Sequence, residues 1–387
     1  MNKFNYYSPT KIVFGKGSVG QLEKLIRGKY KRILLHFGGG SIKKSGLYDE
    51  IINDLNRLEC EVFELAGVEP NPKLSLVRKG VEITKEKNID LILAVGGGSV
   101  IDSAKAIGIG AKYDGDVWDF YVGKSRVKDT IPVGVVLTLP ATGSETSRGS
   151  VITNENGPYK LSVNDDILRP VFAIMDPVLT LTLPDKQTFA GIMDILSHIF
   201  ERYFTNTENV DLTDHLCEGT MKSVIKNAYI LKKEPNNLAA RAEIMLAGTI
   251  AHNGILGLGR EEDWSSHDIG HELSAFYGTT HGRTLGIIFP AWMKYVYKEN
   301  IDKFMQFATN VFDVSVVNKS PEQIALEGID SLITFLKDME VPTSFSEEGL
   351  PTDKFEIMAE KASNGGTIGG LKKLNSKDIF KIYNLAR

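Results

Sequence analysis

Six of the seven histidines fall between His198 and His281, and an acid, Asp194, stands four residues before the first of them. On a helix, a spacing of four puts Asp194 and His198 on one face. His267 and His271 repeat that spacing, and His281 follows Gly278, a residue that ends helices. One carboxylate with several imidazoles suits a first-row divalent cation such as Fe(II) or Zn(II). Taken singly, each of these histidines reads better as satisfied core packing. Asp194 with His198 alone reads better as a solvated polar face. Together they favour a metal site, although spacing alone does not choose its ligands. His215 and His252 have no comparable spacing and read as structural or surface residues; His36 reads as strand packing.

A second chemistry lies earlier in the chain. Ile33–Phe37 runs into Gly38-Gly39-Gly40-Ser41, and Leu91–Val95 runs into Gly96-Gly97-Gly98-Ser99. Each reads as a strand, a glycine turn and a following helix, the second over Val100–Ile109. Such a turn lets backbone approach a phosphate, and the helix end offers free N–H groups to the anion. Neither is a strict G-x-G-x-x-G, since Lys43 and Ile101 occupy the last glycine position. One such turn is weak evidence; two in one sheet point to a dinucleotide at the carboxyl ends of the strands. No acid occurs from His36 to Tyr48, while Ser41, Lys43 and Lys44 offer a hydroxyl and two cations. If the adenosine ribose lies there, NADP(H) is favoured over NAD(H), with Glu64 as the main counter-argument.

The elements that must hold these groups divide the chain in two. Apolar runs at 32–37, 61–65, 91–95, 133–137 and 171–175 alternate with amphipathic stretches such as 48–58 and 76–87, which predicts a parallel sheet covered on both faces. Residues 150–153 and 159–163 read as a hairpin around Asn154-Glu155-Asn156-Gly157. From Pro184 onward helical spacing dominates, with further helices expected over 238–251, 301–312, 321–337 and 354–363. The expectation is an α/β dinucleotide-binding domain at 1–183 and an all-helical metal-binding domain at 184–387, with the active site in the cleft between them.

Composition narrows the class. The 387 residues are 42% hydrophobic and carry 45 basic against 49 acidic side chains. That balance suits two ordinary cores and argues against a nucleic-acid partner. No apolar run approaches the roughly 20 residues of a membrane span. Cys60 and Cys217 are too few and too far apart for a disulfide scaffold, so a cytoplasmic protein is expected.

Several longer motifs resemble the iron-dependent (group III) alcohol dehydrogenases, specifically their butanol dehydrogenase-like branch. They are Phe14-Gly15-Lys16-Gly17, Glu69-Pro70-Asn71-Pro72, Gly96 to Asp102, Thr138 to Glu145, Met175-Asp176-Pro177, Gly191 to His198, and the His267/His271/His281 set. The resemblance spans essentially the whole chain. It implies that Asp194, His198, His267 and His281 ligate one metal, Fe(II) ahead of Zn(II), and that His271 stands near the reacting carbon. It also implies that Gly97, Gly98 and Ser99 hold the pyrophosphate, with Asp102 supporting that turn. Thr138, Thr142 and Lys160 would serve the nicotinamide end and its ribose, with Leu179 packed nearby. Asn71 and Gly39-Gly40-Ser41 would flank the adenosine side. Ser147 and Gly270 depart from the family pattern and are expected to shape the substrate pocket.

The reaction implied is hydride transfer between a primary alcohol or aldehyde, such as butanol or butanal, and NADP(H) or NAD(H), with the cation as Lewis acid. His271 is the expected proton relay. A homodimer is expected, as relatives commonly dimerise. Two other readings compete: glycerol dehydrogenase-like or dehydroquinate synthase-like chemistry on the same fold, and a metal phosphohydrolase built on His267-Asp268. A nucleotide-binding sensor without chemistry fits the intact Asp/His set poorly.

Overall fold

The short apolar runs of the first half fold as strands. In chain order these are β1 (Lys11–Phe14), β2 (Arg32–Phe37), β3 (Glu61–Leu65), β4 (Leu91–Gly96), β5 (Val133–Leu137), β6 (Gly149–Asn154), β7 (Tyr159–Asn164) and β8 (Phe172–Met175). Six of them form one sheet in the order β1-β8-β5-β4-β2-β3, with every neighbouring pair parallel. β4 and β5 are buried along their whole length, as strands covered on both faces must be. β6 and β7 pair antiparallel as the expected hairpin. β1 carried no sequence signal: it is a four-residue edge strand whose Ile12 and Phe14 are 41% and 40% exposed.

The computed structural model describes residues 1–157 and 159–387. One unit comprises residues 7–183; the other comprises 184–387 together with 1–6. The first six residues thus group with the helical unit, where the Met1 ammonium donates to the Glu208 carbonyl and Asn2 N–H to that of Gly259, both at 2.7 Å.

In the α/β unit the helices of nine residues or more are α1 (Leu47–Arg57), α2 (Leu74–Glu86) and α3 (Gly98–Ala111). The chain passes from β2 outward to β3, but from β4 in the opposite direction to β5. The crossovers therefore diverge at the β2–β4 pair, where open parallel sheets form ligand crevices beyond the strand ends. Both triple-glycine turns leave from this pair, whose ends are in register, Phe37 with Val95. The two turns lead into different elements. The second feeds the fourteen-residue α3 almost directly. The first makes one four-residue helical turn, Ser41–Lys44, before Gly46 takes a left-handed φ of 80° and α1 begins. A helix was expected after each turn, and one follows each; the first is a single turn because Gly46 interrupts it.

The helical unit contains α4 (Asp185–Tyr203), α5 (Asp211–Lys233), α6 (Leu238–His252), α7 (Ser265–Tyr277), α8 (His281–Val296), α9 (Ile301–Phe312), α10 (Pro321–Asp338), α11 (Phe355–Ser363) and α12 (Ser376–Leu385). α4 is buried on every side from Thr188 to Tyr203. A helix buried all round belongs to a core, so Asp194 and His198 do not lie on a solvated face. No helix among the described residues is long and apolar enough to cross a membrane.

Candidate metal centre and nucleotide turns

Asp194 and His198 sit one turn apart on α4, and His267 and His271 one turn apart on α7. Gly278 ends α7 with a left-handed φ of 70°, and His281 opens α8. One donor atom from each of Asp194, His267 and His281 lies within 4.8 Å of the other two. His198 adjoins this group, its Nε2 3.4 Å from Asp194 Oδ1 and its ring centre 4.6 Å from that of His267. His271 borders it, with its ring centre 5.3 Å from His281 and 6.5 Å from His267.

These residues fit a divalent cation. Asp194, His198 and His267 are buried, and neither ring nitrogen of His198 makes a hydrogen bond among the described residues. Burial, followed by the neighbouring His252 and His267, holds His198 well below the usual histidine range. Its imidazole is therefore neutral at pH 7, with a lone pair to offer. Burying a carboxylate among imidazoles is costly unless a cation completes the set.

Two neighbours escaped the sequence reading. Glu201, fully buried on α4, accepts from the backbone N–H of His267 at 3.0 Å and of Trp264 at 2.7 Å, and its Oε1 lies 2.7 Å from His267 Nδ1. Burial and then Asp263 raise its carboxyl well above the usual range, while the two backbone donors oppose them. Its position seven residues after Asp194, on the same helix face, was the available signal. His252, expected to be structural or at the surface, packs against the cluster from outside the donor group: its ring centre is 4.1 Å from that of His198, and its Nδ1 is 3.3 Å from Arg202 Nη2. Only the packing of α6 on α4 reveals this. His215 is exposed, as read. His36 is buried in β2 between the Leu65 carbonyl at 2.8 Å and Ser103 Oγ at 2.9 Å, and burial lowers it to about 4.

In the α/β unit, α3 starts at Gly98, so its first N–H groups and positive dipole end sit at the end of β4. A Cβ on Gly98 would overlap the Thr142 side chain, and one on Gly97 would stand 3.1 Å from Leu139 Cβ. The loop carrying Thr138 and Thr142 thus lies against the turn, and Thr138 N–H donates to the Gly96 carbonyl at 3.0 Å. Asp102 holds this loop by accepting from Ser144 Oγ at 2.5 Å, and reaches β6 by accepting from Val151 N–H at 3.0 Å. Lys105, one turn further along α3, is fully buried and donates to Ser144 Oγ, the Ser147 carbonyl and the Gly149 carbonyl at 2.9, 3.0 and 2.8 Å. Burial lowers its amine to about 8, against the pull of Asp102 and Glu145. Lys160 on β7 donates to Asn71 Oδ1 at 2.9 Å, and Asn71 holds a left-handed φ of 58°. Leu179 packs on the sheet core that includes Val136 and Ile174.

A model of the iron-containing alcohol dehydrogenases matches residues 9–177, and one of the Fe-containing alcohol dehydrogenase family's C-terminal part matches residues 188–386. The chain belongs to the iron-containing alcohol dehydrogenase family. It is 46% identical over 382 residues to the "Probable NADH-dependent butanol dehydrogenase 1" of Bacillus subtilis, covering 99% of both chains. It is 36% identical over 392 residues to the NADPH-dependent aldehyde reductase YqhD of Escherichia coli, covering 100% of both. A crystal structure of NADH-dependent butanol dehydrogenase A from Thermotoga maritima superimposes with a TM-score of 0.96 at 38% identity, over 100% of this chain and 99% of that one.

In this iron-containing alcohol dehydrogenase, Asp194, His267 and His281 form the metal site. The phosphohydrolase reading does not survive: Asp268 lies outside the donor group, and both family models describe a dehydrogenase. Ser147 and Gly270, expected to shape the substrate pocket, each lie in a close contact within their own unit. The Ser147 carbonyl accepts a hydrogen bond from Lys105 Nζ, and a Cβ on Gly270 would stand 3.3 Å from Thr284 and Leu285 on α8.

Proposed function

We propose that this dehydrogenase interconverts primary alcohols and their aldehydes with a nicotinamide cofactor, as an NAD(P)H-dependent butanol dehydrogenase or aldehyde reductase. The group of one buried carboxylate with buried His198 and His267 and half-buried His281 carries the reading. In it, Asp194, His198, His267 and His281 hold one ion, Fe(II) ahead of Zn(II). Bound there, the ion supplies Lewis acidity to the substrate oxygen. Asp194 balances part of the positive charge. His271, bordering the group, holds the proton that the oxygen gains or loses, a task suited to an imidazole near neutrality.

Gly97, Gly98 and Ser99 take the pyrophosphate at the start of α3, with Asp102 bracing the turn. Thr138, Thr142 and Lys160 serve the nicotinamide end and its ribose, with Leu179 nearby; Asn71 and Gly39-Gly40-Ser41 serve the adenosine side. NADP(H) is preferred over NAD(H). The lack of an acid between His36 and Tyr48 supports this, as does the state of Glu64. Its carboxylate accepts from the Tyr48 hydroxyl and lies 3.3 Å from Lys43 Nζ, so a cation meets its charge. The exposed edge strand β1, with Ile12 and Phe14, supports a homodimer, because unpaired edges template pairing. Two unpaired cysteines, Cys60 and Cys217, suit a cytoplasmic setting.

The test is anaerobic reloading of metal-stripped protein with Fe(II) or Zn(II), followed by absorbance loss of NADPH or NADH with butanal. Turnover is expected only with metal. His198→Ala should abolish turnover and lower bound metal, whereas His271→Ala should lower turnover and leave metal in place. Phosphate release from a phosphomonoester, with no NAD(P)H oxidised, would overturn the reading.

A further inference from the structure

We infer that Glu201 is a positioning residue for the metal ligand His267: it fixes which ring nitrogen carries the proton and orders the helix turn that presents the ring. The inference rests on the metal-site reading above. Glu201 has no exposed surface, and an acid is buried so completely only where donors compensate its lost hydration. Here the donors all come from one short segment. Oε1 lies 2.7 Å from His267 Nδ1 and 3.0 Å from His267 N, and Oε2 accepts from Trp264 N–H at 2.7 Å. The Glu201 carbonyl accepts from Asp263 N–H at 2.8 Å.

That segment is the start of α7, where Asp263 Oδ1 accepts from Ser265 N–H at 3.0 Å but the cap residue itself supplies no side-chain acceptor. Trp264, the residue before the helix, sits at a left-handed φ of 67° and offers no side-chain cap. The N–H groups at the cap and third helical positions, normally satisfied by a local Ser, Asp or Glu, are instead satisfied by one carboxylate from α4. The same oxygen that caps His267 N–H accepts the hydrogen bond of a proton carried on Nδ1. Nε2 then keeps the lone pair, as a metal-binding imidazole requires. A carboxylate behind a ligand histidine fixes its tautomer and raises its basicity, and losing one weakens metal binding roughly ten- to hundred-fold.

The experiment uses the full chain stripped of metal, with Co(II) as the probe. Co(II) dissociation constants come from chelator competition, ligand geometry from the visible absorption bands, and folding from circular dichroism. Glu201→Gln keeps the volume, and Glu201→Asp keeps the charge if the amide variant fails to fold. The expected result is a folded variant that binds Co(II) about ten- to hundred-fold more weakly, with shifted visible bands. A role confined to helix capping would lower the melting temperature of the metal-free chain and leave Co(II) affinity and spectrum unchanged. That outcome overturns the inference and spares the metal site. Co(II) binding left unchanged by His281→Ala would overturn the metal-site reading, and this inference with it.

Discussion

Gly282 lies against the backbone of Ala190 so closely that a Cβ on the glycine would overlap the alanine carbonyl oxygen and stand 2.7 Å from its carbonyl carbon. This contact sets the approach of α8 to α4. It lets His281, the residue before Gly282, bring its Nε2 within 3.9 Å of Asp194 Oδ1. Gly282→Ala cannot be absorbed by a rotamer change, because the obstacle is backbone. Overpacking of this kind costs about 1–3 kcal/mol, and here it would also separate a ligand pair. The expected outcome is a lower melting temperature together with bound metal well below wild type by elemental analysis. Unchanged metal content would show that the helix contact does not control the site.

The second close contact, Gly98 against Thr142, predicts a compensating pair. In Gly98→Ala the new methyl meets the Thr142 Oγ1 and Cγ2 atoms, pushing the loop off the turn proposed to receive the pyrophosphate. NADPH affinity measured by fluorescence titration should fall about ten-fold, equivalent to about 1.4 kcal/mol. Thr142→Ala removes both clashing atoms. The double variant should therefore bind NADPH more tightly than Gly98→Ala alone. A double variant weaker than Gly98→Ala alone would show that losing the Thr142 side chain costs more at the cofactor than relieving the clash restores.

Much of this arrangement could be read from the residues alone, and the rest was hidden for physical reasons. The strands at 32–37 and 133–137 were bounded correctly because strands buried on both faces are unbroken apolar runs. The helix at 301–312 was bounded correctly because its apolar residues keep one face. β1 was missed because it is short and largely exposed. The break at Gly46 between the helical turn after Gly40 and α1 was not read, because it rests on one left-handed glycine. In the site, Asp194 and the ligand histidines stood out through local spacing. Glu201 shares that spacing yet looks like any surface glutamate until its burial is known. His252 and Gly282 had no local signal at all, since each matters only through a neighbour far away in sequence.

Lys105 makes a pH prediction. Burial lowers its amine to about 8, against 10.5 for an ordinary lysine. Below about pH 8 the amine is charged in both states, and its burial cost is constant. Between about 8 and 10.5 the unfolded chain binds more protons than the folded one, so the stability this residue contributes rises with pH. The rise is at most about 1.4 kcal/mol per pH unit. Urea unfolding of wild type and Lys105→Met, at about pH 7.5 and about pH 9.5, isolates the effect. The wild-type-minus-variant difference should move in favour of wild type at the higher pH. The opposite trend would mean that the charged form is the one the fold stabilises.

Cofactor preference turns on a balance of charge around the first glycine turn. Lys43 faces Glu64 at 3.3 Å and stands 4.3 Å from the centre of the Tyr48 ring. Both contacts leave its ammonium near the end of β2, with part of its field cancelled by Glu64. Glu64→Gln removes that cancellation without changing size, and should raise the NADPH/NADH ratio of kcat/KM by about two- to five-fold, under 1 kcal/mol, because the pair is solvent-exposed. Ser41→Asp introduces a carboxylate where the 2′-phosphate is proposed to lie, and should lower the same ratio about ten-fold or more. These two variants move one quantity in opposite directions from residues on either side of Lys43. If neither changes the ratio, the adenosine ribose does not bind at this turn, and selectivity must be sought elsewhere in the α/β unit.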